Sequence, residues 1–217
     1  MIRRDGPESD ARCDRDLVHA ARDGDTPSFD ALFYRYRDGI YRLAVAITKD
    51  PSAGEEIVVD TFARAHRSLA RLEPEDTLRP WLYRVAMNLS YDRKPRSGVT
   101  FASLEVSPAE SFASDERSPA AIAEESEVRR IVLAAIDELG PKHRIVVILH
   151  YLNELSLAEI AAVVECPVGT VKSRLFYGVR HLRARLESLP RLGSEPAVFF
   201  GAGTGVRIEL IAGRGTR

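Results

Sequence analysis

Apolar residues recur every three or four positions over most of this chain, and the rhythm breaks at prolines, glycines and aspartates. Helical patterning begins near Asp16, in DLVHAARDG. A second helix is predicted with Thr26 as N-cap and Pro27 in its first position. Phe29, Leu32, Phe33, Tyr36, Ile40, Leu43, Ala44 and Ile47 run along one face of it. Asp50-Pro51 ends it. A third helix runs from about Ser52 to Leu69, with Val58, Thr61, Phe62, Ala65 and Leu69 inward and Glu56, Asp60, Arg64 and Arg67 outward. After a polar, acidic loop from Ala70 to Arg79, Pro80 opens a fourth helix, PWLYRVAMNLSYDRKPR. Leu82, Val85, Ala86 and Leu89 face a core, and Trp81, Arg84 and Asn88 share another face. Tyr83, Met87 and Tyr91 flank them, with Arg93 trailing behind.

From Pro95 to about Pro119 the composition shifts to serine, proline, alanine and acids, the signature of a flexible linker. Helical patterning resumes from Ala120 to Leu139, stops at Gly140-Pro141, and continues from Lys142 to Leu152. Ser156 and Glu159 then form an S-x-x-E capping box, in which each side chain satisfies a backbone donor. Ile160, Ala161, Val163 and Val164 give that helix an apolar face. Cys166-Pro167 breaks it, and Pro167 opens a last helix with Val171, Leu175, Val179, Leu182 and Leu186 as its buried stripe. Beyond Leu189 the tail is rich in glycine. Its AVFF and VRIELIA runs weakly resemble a hairpin, but an isolated hairpin is marginal in water, so a disordered or partner-dependent tail is expected. The expected fold is all-α: two small helical domains, 14–95 and 120–189, joined by a flexible linker over 96–119, with a tail over 190–217.

Charge changes this picture locally. The net charge of −1 looks wrong for a nucleic-acid binder, but residues 167 to 186 hold Lys172, Arg174, Arg180, Arg183 and Arg185 and no acid. Two packed helices, the second offering cations and hydrogen-bonding groups, make a helix-turn-helix that can enter a major groove. The same pattern also fits two ordinary amphipathic helices with a solvated basic face. Trp81 beside Arg84, Asn88 and tyrosines can stack unpaired bases and bond their edges, or can simply sit at the rim of a core.

The two cysteines, Cys13 and Cys166, are far apart, so neither a disulfide framework nor a zinc site is expected and a reducing cytoplasm is. The five histidines form no metal-ligand set, and no nucleophile elbow, P-loop or dinucleotide fingerprint occurs. The reading is therefore no enzyme, no cofactor, no metal and no small-molecule substrate. No run of apolar residues approaches a membrane span, and the charged start does not read as a secretory signal.

Three motifs carry a resemblance: E-I-V-V-D-T-F-A-R-A at 56–65, P-W-L-Y-R-V-A-M-N-L at 80–89, and L-S-L-A-E-I-A followed by C-P-V-G-T-V-K-S-R-L within 155–175. In this order they resemble the extracytoplasmic-function (group IV) sigma factors of bacterial RNA polymerase. The resemblance implies a first domain like sigma region 2, docking on the coiled coil of the polymerase clamp through Glu56, Asp60 and Arg64. Relatives often carry glutamine where this chain has Val59. It also implies that Trp81, Arg84, Asn88 and Arg93 meet the melted strand of the −10 element, because capturing an unstacked base stabilises the open duplex. A second domain like region 4 would read the −35 element as duplex through Thr170, Lys172, Ser173, Phe176, Tyr177 and Arg180. Lysine reaches guanine acceptors or phosphate, and Phe176 a thymine methyl. His150 stands where relatives often have a phosphate-binding arginine, and Tyr177 where many have another arginine, so fewer fixed cationic contacts are expected. The implied partners are core RNA polymerase (clamp and flap), promoter DNA and an anti-sigma factor, and the linker would thread the polymerase's channel. A stand-alone helix-turn-helix regulator is the alternative, and an antagonist of a sigma factor without DNA contacts is a further one.

Overall fold

The computed structural model describes residues 12–71, 78–93 and 130–187, and they are helical, with no strand among them. The predicted linker and tail, residues 72–77 of the predicted acidic loop, and residues 120–129 of the helix predicted from Ala120 to Leu139 lie outside the described residues. The helices are α1 (Asp14–Arg22), α2 (Thr26–Thr48), α3 (Pro51–Ser68), α4 (Leu78–Arg93), α5 (130–137), α6 (Pro141–Val147), α7 (Leu157–Val163) and α8 (Val168–Glu187). They include two compact units, one built on α1–α4 and one on α5, α6 and α8.

In the first unit α2, α3 and α4 pack on one another and α1 covers α2. The stripe predicted for α2 is the hub: Leu32, Ile40, Leu43, Ala44 and Ile47 are buried. Each leucine or isoleucine among them contributes roughly 1.5–3 kcal/mol on leaving water. Phe62 of α3 meets Phe33 edge-on at 4.8 Å and Phe29 at 6.3 Å between ring centroids. Gly54 lets α3 approach closely, since a Cβ there would stand 2.6 Å from Val45 Cγ2 and 3.0 Å from the Tyr41 ring. Asp14, in the first turn of α1, accepts hydrogen bonds from the Tyr36 hydroxyl and from Arg35, tying α1 to α2. Burial first, and then the Asp14 bond, pushes the Tyr36 hydroxyl far above the tyrosine range.

Caps explain the breaks. Asp25, one residue before the predicted Thr26, is the N-cap of α2; its carbonyl accepts from Ser28 and Phe29 N–H groups and its carboxylate from the Ser28 hydroxyl. Lys49 closes α2 in the left-handed conformation, φ 64°. Asp50 then caps α3 by accepting from the Ser52 amide at 2.9 Å. Helix α4 starts at Leu78 rather than at Pro80. A proline anywhere in the first turn costs no hydrogen bond, because those amides have no partner within the helix.

In the second unit Val132, Ala135 and Ile136 of α5, Ile145, Val146 and Val147 of α6, and Val171, Leu182 and Leu186 of α8 are buried. Gly178 seats α8 on α6: a Cβ there would meet Val147 Cγ2 at 2.9 Å. Arg144 donates to the carbonyls of Asp137 and Leu139, satisfying the end of α5 with a cation where the helix dipole favours one. Helix α6 runs on into a π turn, Ile148–Leu152.

Candidate nucleic-acid interface

The predicted helix, turn and helix are present in that order, with residues 164–167 between α7 and α8. Glu165 turns the chain in the left-handed conformation at φ 51°. The Pro167 carbonyl then accepts from the amides of Thr170 and Val171 at 2.8 and 3.1 Å, so Pro167 stands just ahead of α8, as its missing N–H allows. Ile160 and Val163 of α7 are fully buried.

Of the stripe expected on α8, Val171, Leu182 and Leu186 are buried and Leu175 and Val179 half-buried, while the expected reading residues turn outward. Lys172, Ser173, Phe176, Tyr177 and Arg180 are exposed, and Thr170 is half-buried. Phe176 and Tyr177 are 63% and 55% exposed, unusual for aromatic rings, and meet each other edge-on at 5.5 Å. Such rings offer apolar contact to a thymine methyl or a sugar. The Ser173 hydroxyl is occupied by its own helix, donating to the Thr170 carbonyl at 3.0 Å, which leaves its lone pairs outward. Arg174 points the other way, with Nη1 3.6 Å from Cys166 Sγ, and Arg185 pairs with Glu138 at 2.8 Å.

His150 lies in the π turn, half-buried, with Nδ1 3.0 Å from the Leu155 carbonyl and its ring edge-on to Tyr151 at 4.8 Å. Asn153 Nδ2 donates to the Ile148 carbonyl at 3.3 Å and the Leu155 amide to the Leu149 carbonyl at 3.0 Å, so the carbonyls freed by the wider turn are used. His150 is thereby aimed by backbone rather than left to wave as a surface arginine would.

In the first unit Trp81 and Arg84 are half-buried and Asn88 is exposed, on the α4 face away from Leu82, Ala86 and Leu89. Tyr83, expected as a flanking residue, is buried at 3% exposure, because α4 packs on both α2 and α3 and its buried stripe is correspondingly broad. Glu56 and Arg64 are exposed on α3 and Asp60 is half-buried. Between the two acids Val59 is 64% exposed, while its neighbour Val58 is buried. The helical phase separates these two valines, although residue type alone reads both as core. Arg93, grouped with the strand-binding residues on the sequence, sits instead against the acids of α3. It donates to Asp60, and its Nε lies 3.8 Å from Glu56 Oε2.

The same chain is matched by two family models, Sigma-70 region 2 over residues 32–98 and Sigma-70, region 4 over residues 129–182. It is 30% identical over 185 residues to the RNA polymerase sigma-H factor of Pseudomonas aeruginosa, covering 82% of this chain and 96% of that protein. The chain belongs to the extracytoplasmic-function sigma factors. The ECF RNA polymerase sigma-E factor of Escherichia coli K12 is similar, 29% identical over 84% of this chain and 99% of its own length. In fold the chain is similar to the sigma factor RpoE of Bartonella quintana, solved in complex with the anti-sigma factor NepR. That match has a TM-score of 0.57 and 21% identity, over 74% of this chain and 97% of that one.

A sigma factor directs RNA polymerase to promoters, and this chain is one rather than a stand-alone regulator. Region 2 is thus the α2–α4 part of the first unit, and region 4 spans α5 to most of α8. Among the described residues no group of histidine, cysteine or carboxylates is placed to hold a metal ion, and no helix is long and apolar enough to cross a membrane.

Proposed function

We propose that this sigma factor reads its promoter twice, by two different physical means. Domain 120–189 reads the −35 element as duplex, through Thr170, Lys172, Ser173, Phe176, Tyr177 and Arg180, with His150 at the backbone. Domain 14–95 holds the −10 element as a melted strand, with Trp81 stacking on a base and Asn88 and Arg84 bonding base edges or phosphate. Glu56, Asp60 and Arg64 dock on the polymerase clamp, where charge complementarity sets orientation and encounter rate. The segment 96–119 is the tether between the two domains. The observation that carries this reading is the sorting of α8, where Val171, Leu182 and Leu186 are buried while two aromatic rings, a lysine and an arginine stand in solvent.

The protein works by binding, without catalysis of its own, in the cytoplasm where the polymerase is. An anti-sigma factor is its expected restraint, a reading supported by the complexed state of the structural relative. Core polymerase reconstituted with this protein and genomic DNA should start transcripts at a small set of promoters sharing −35 and −10 motifs. Tight duplex binding by the protein alone, with no polymerase-dependent transcript, would overturn the reading.

A further inference from the structure

Arg93 ends the helix proposed to hold the melted strand, yet its guanidinium is spent on the two carboxylates proposed to dock the polymerase. It donates from Nη2 to Asp60, and its Nε stands 3.8 Å from Glu56 Oε2, across 33 and 37 residues of sequence. The cation is the more enclosed partner: its side chain is 29% exposed, against 47% for Asp60 and 70% for Glu56. Both carboxylates therefore keep an open side facing solvent while their charge is partly neutralised from behind.

We propose that Arg93 is an internal counter-ion that the polymerase displaces, and that the displaced guanidinium then takes a phosphate of the melted strand. The inference rests on the docking role assigned above to Glu56 and Asp60. A basic polymerase surface arriving at these acids brings a second set of cations to the same oxygens. Two cation sets on one carboxylate pair repel, and the intramolecular pair, whose carboxylates are open to solvent and screened by it, is the weaker competitor. Arg93 lies at the end of α4, so its release needs rotation of one side chain and no refolding. Guanidinium matches phosphate in geometry as well as charge. Docking and strand capture thereby become coupled. The free protein masks its own strand-binding cation, and the holoenzyme exposes it.

The test uses the full chain with core polymerase. Affinity for core is measured for the native protein, Arg93→Ala, the double variant Glu56→Gln/Asp60→Asn, and all three changes together. Arg93→Ala is expected to bind core about two- to fivefold more tightly, the size of one exposed ion pair. The double variant is expected to bind more weakly, and Arg93→Ala to add nothing in that background. In holoenzyme, Arg93→Ala should bind a single-stranded −10 oligonucleotide severalfold more weakly, with Arg93→Lys between it and the native protein. Arg93→Lys also keeps the cation at the helix end, which guards against loss of folding in the alanine variant. If the double variant binds core as the native protein does, the docking reading itself fails. If the double variant is weakened but Arg93→Ala is unchanged or weaker on core, the counter-ion proposal alone is overturned. Unchanged strand affinity of Arg93→Ala holoenzyme overturns it as well.

Discussion

Helices α4 and α8 each turn one face to a core and another toward proposed DNA contacts, but they present their chemistry differently. On α8 the contact residues stand well out from the helix, with Lys172, Ser173, Phe176, Tyr177 and Arg180 exposed. On α4 Trp81 and Arg84 are half-buried, and the last cation, Arg93, is held by acids of a neighbouring helix. A duplex is a rigid object whose groove accepts a protruding ridge. A melted strand is flexible and must be caught in a recess, where a partly buried ring loses little entropy on stacking. On the proposed reading, exposure suits the helix that would meet a duplex and partial burial the helix that would hold a melted strand.

The comparison breaks first at Trp81. Trp81→Ala should weaken holoenzyme binding to a single-stranded −10 oligonucleotide by about 2–3 kcal/mol, the upper range for a base stacked on an aromatic ring. Its binding to a −35 duplex should stay unchanged. Equal losses on both ligands in a fluorescence titration would mean that Trp81 only supports the fold. The reciprocal change is Lys172→Ala, which should cost about 1 kcal/mol on the −35 duplex, the low end for a base contact. If Lys172 reads a base, the loss should be confined to one base pair when the element is mutated position by position. A uniform loss over all positions would make it a phosphate contact.

Much of this was legible in the sequence, for a physical reason. Helix phase is set by burial, and burial wrote itself into the spacing of Leu32, Ile40, Leu43 and Ile47, and of Val171, Leu182 and Leu186. The outward placement of Phe176 and Tyr177 follows from the same phase. Helix starts were less legible, because first-turn amides are unpaired and tolerate Asp25 or Thr26, Leu78 or Pro80, as the opening residue. The π turn around His150 was not legible at all. It depends on where the Asn153 side chain and the Leu155 amide find carbonyls, which no periodicity records. The Arg93 pairing was equally hidden. It joins helices far apart in sequence through charged groups that read locally as solvated.

A smaller effect is expected at Arg180, exposed about three turns into α8. As a phosphate contact it adds to affinity without choosing a sequence. Arg180→Ala should lower the slope of log K against log salt for −35 duplex binding by about 1, with promoter preference intact. A changed base preference with an unchanged slope would move Arg180 from the backbone to the base edges.

The smallest effect separates the cations of α8 that hold the fold from those left for DNA. Arg185 Nε donates to Glu138 at 2.8 Å, joining the last turn of α8 to the end of α5. That hydrogen bond, helped by the arginine charge, holds the Glu138 carboxyl below its ordinary value of 4.5. A carboxyl whose folded value is depressed stabilises the fold above its unfolded value and loses that contribution as pH falls through the folded one. Native protein should therefore melt slightly above Glu138→Gln at neutral pH. The two melting curves should converge in acid, below the depressed Glu138 value. Because both groups are exposed, the gap should be small and should shrink with salt. A gap that persists undiminished in acid would show that Glu138 acts through packing. If instead Glu138→Gln leaves stability alone but tightens −35 binding, Arg185 belongs with Arg93, as a cation held in reserve for phosphate.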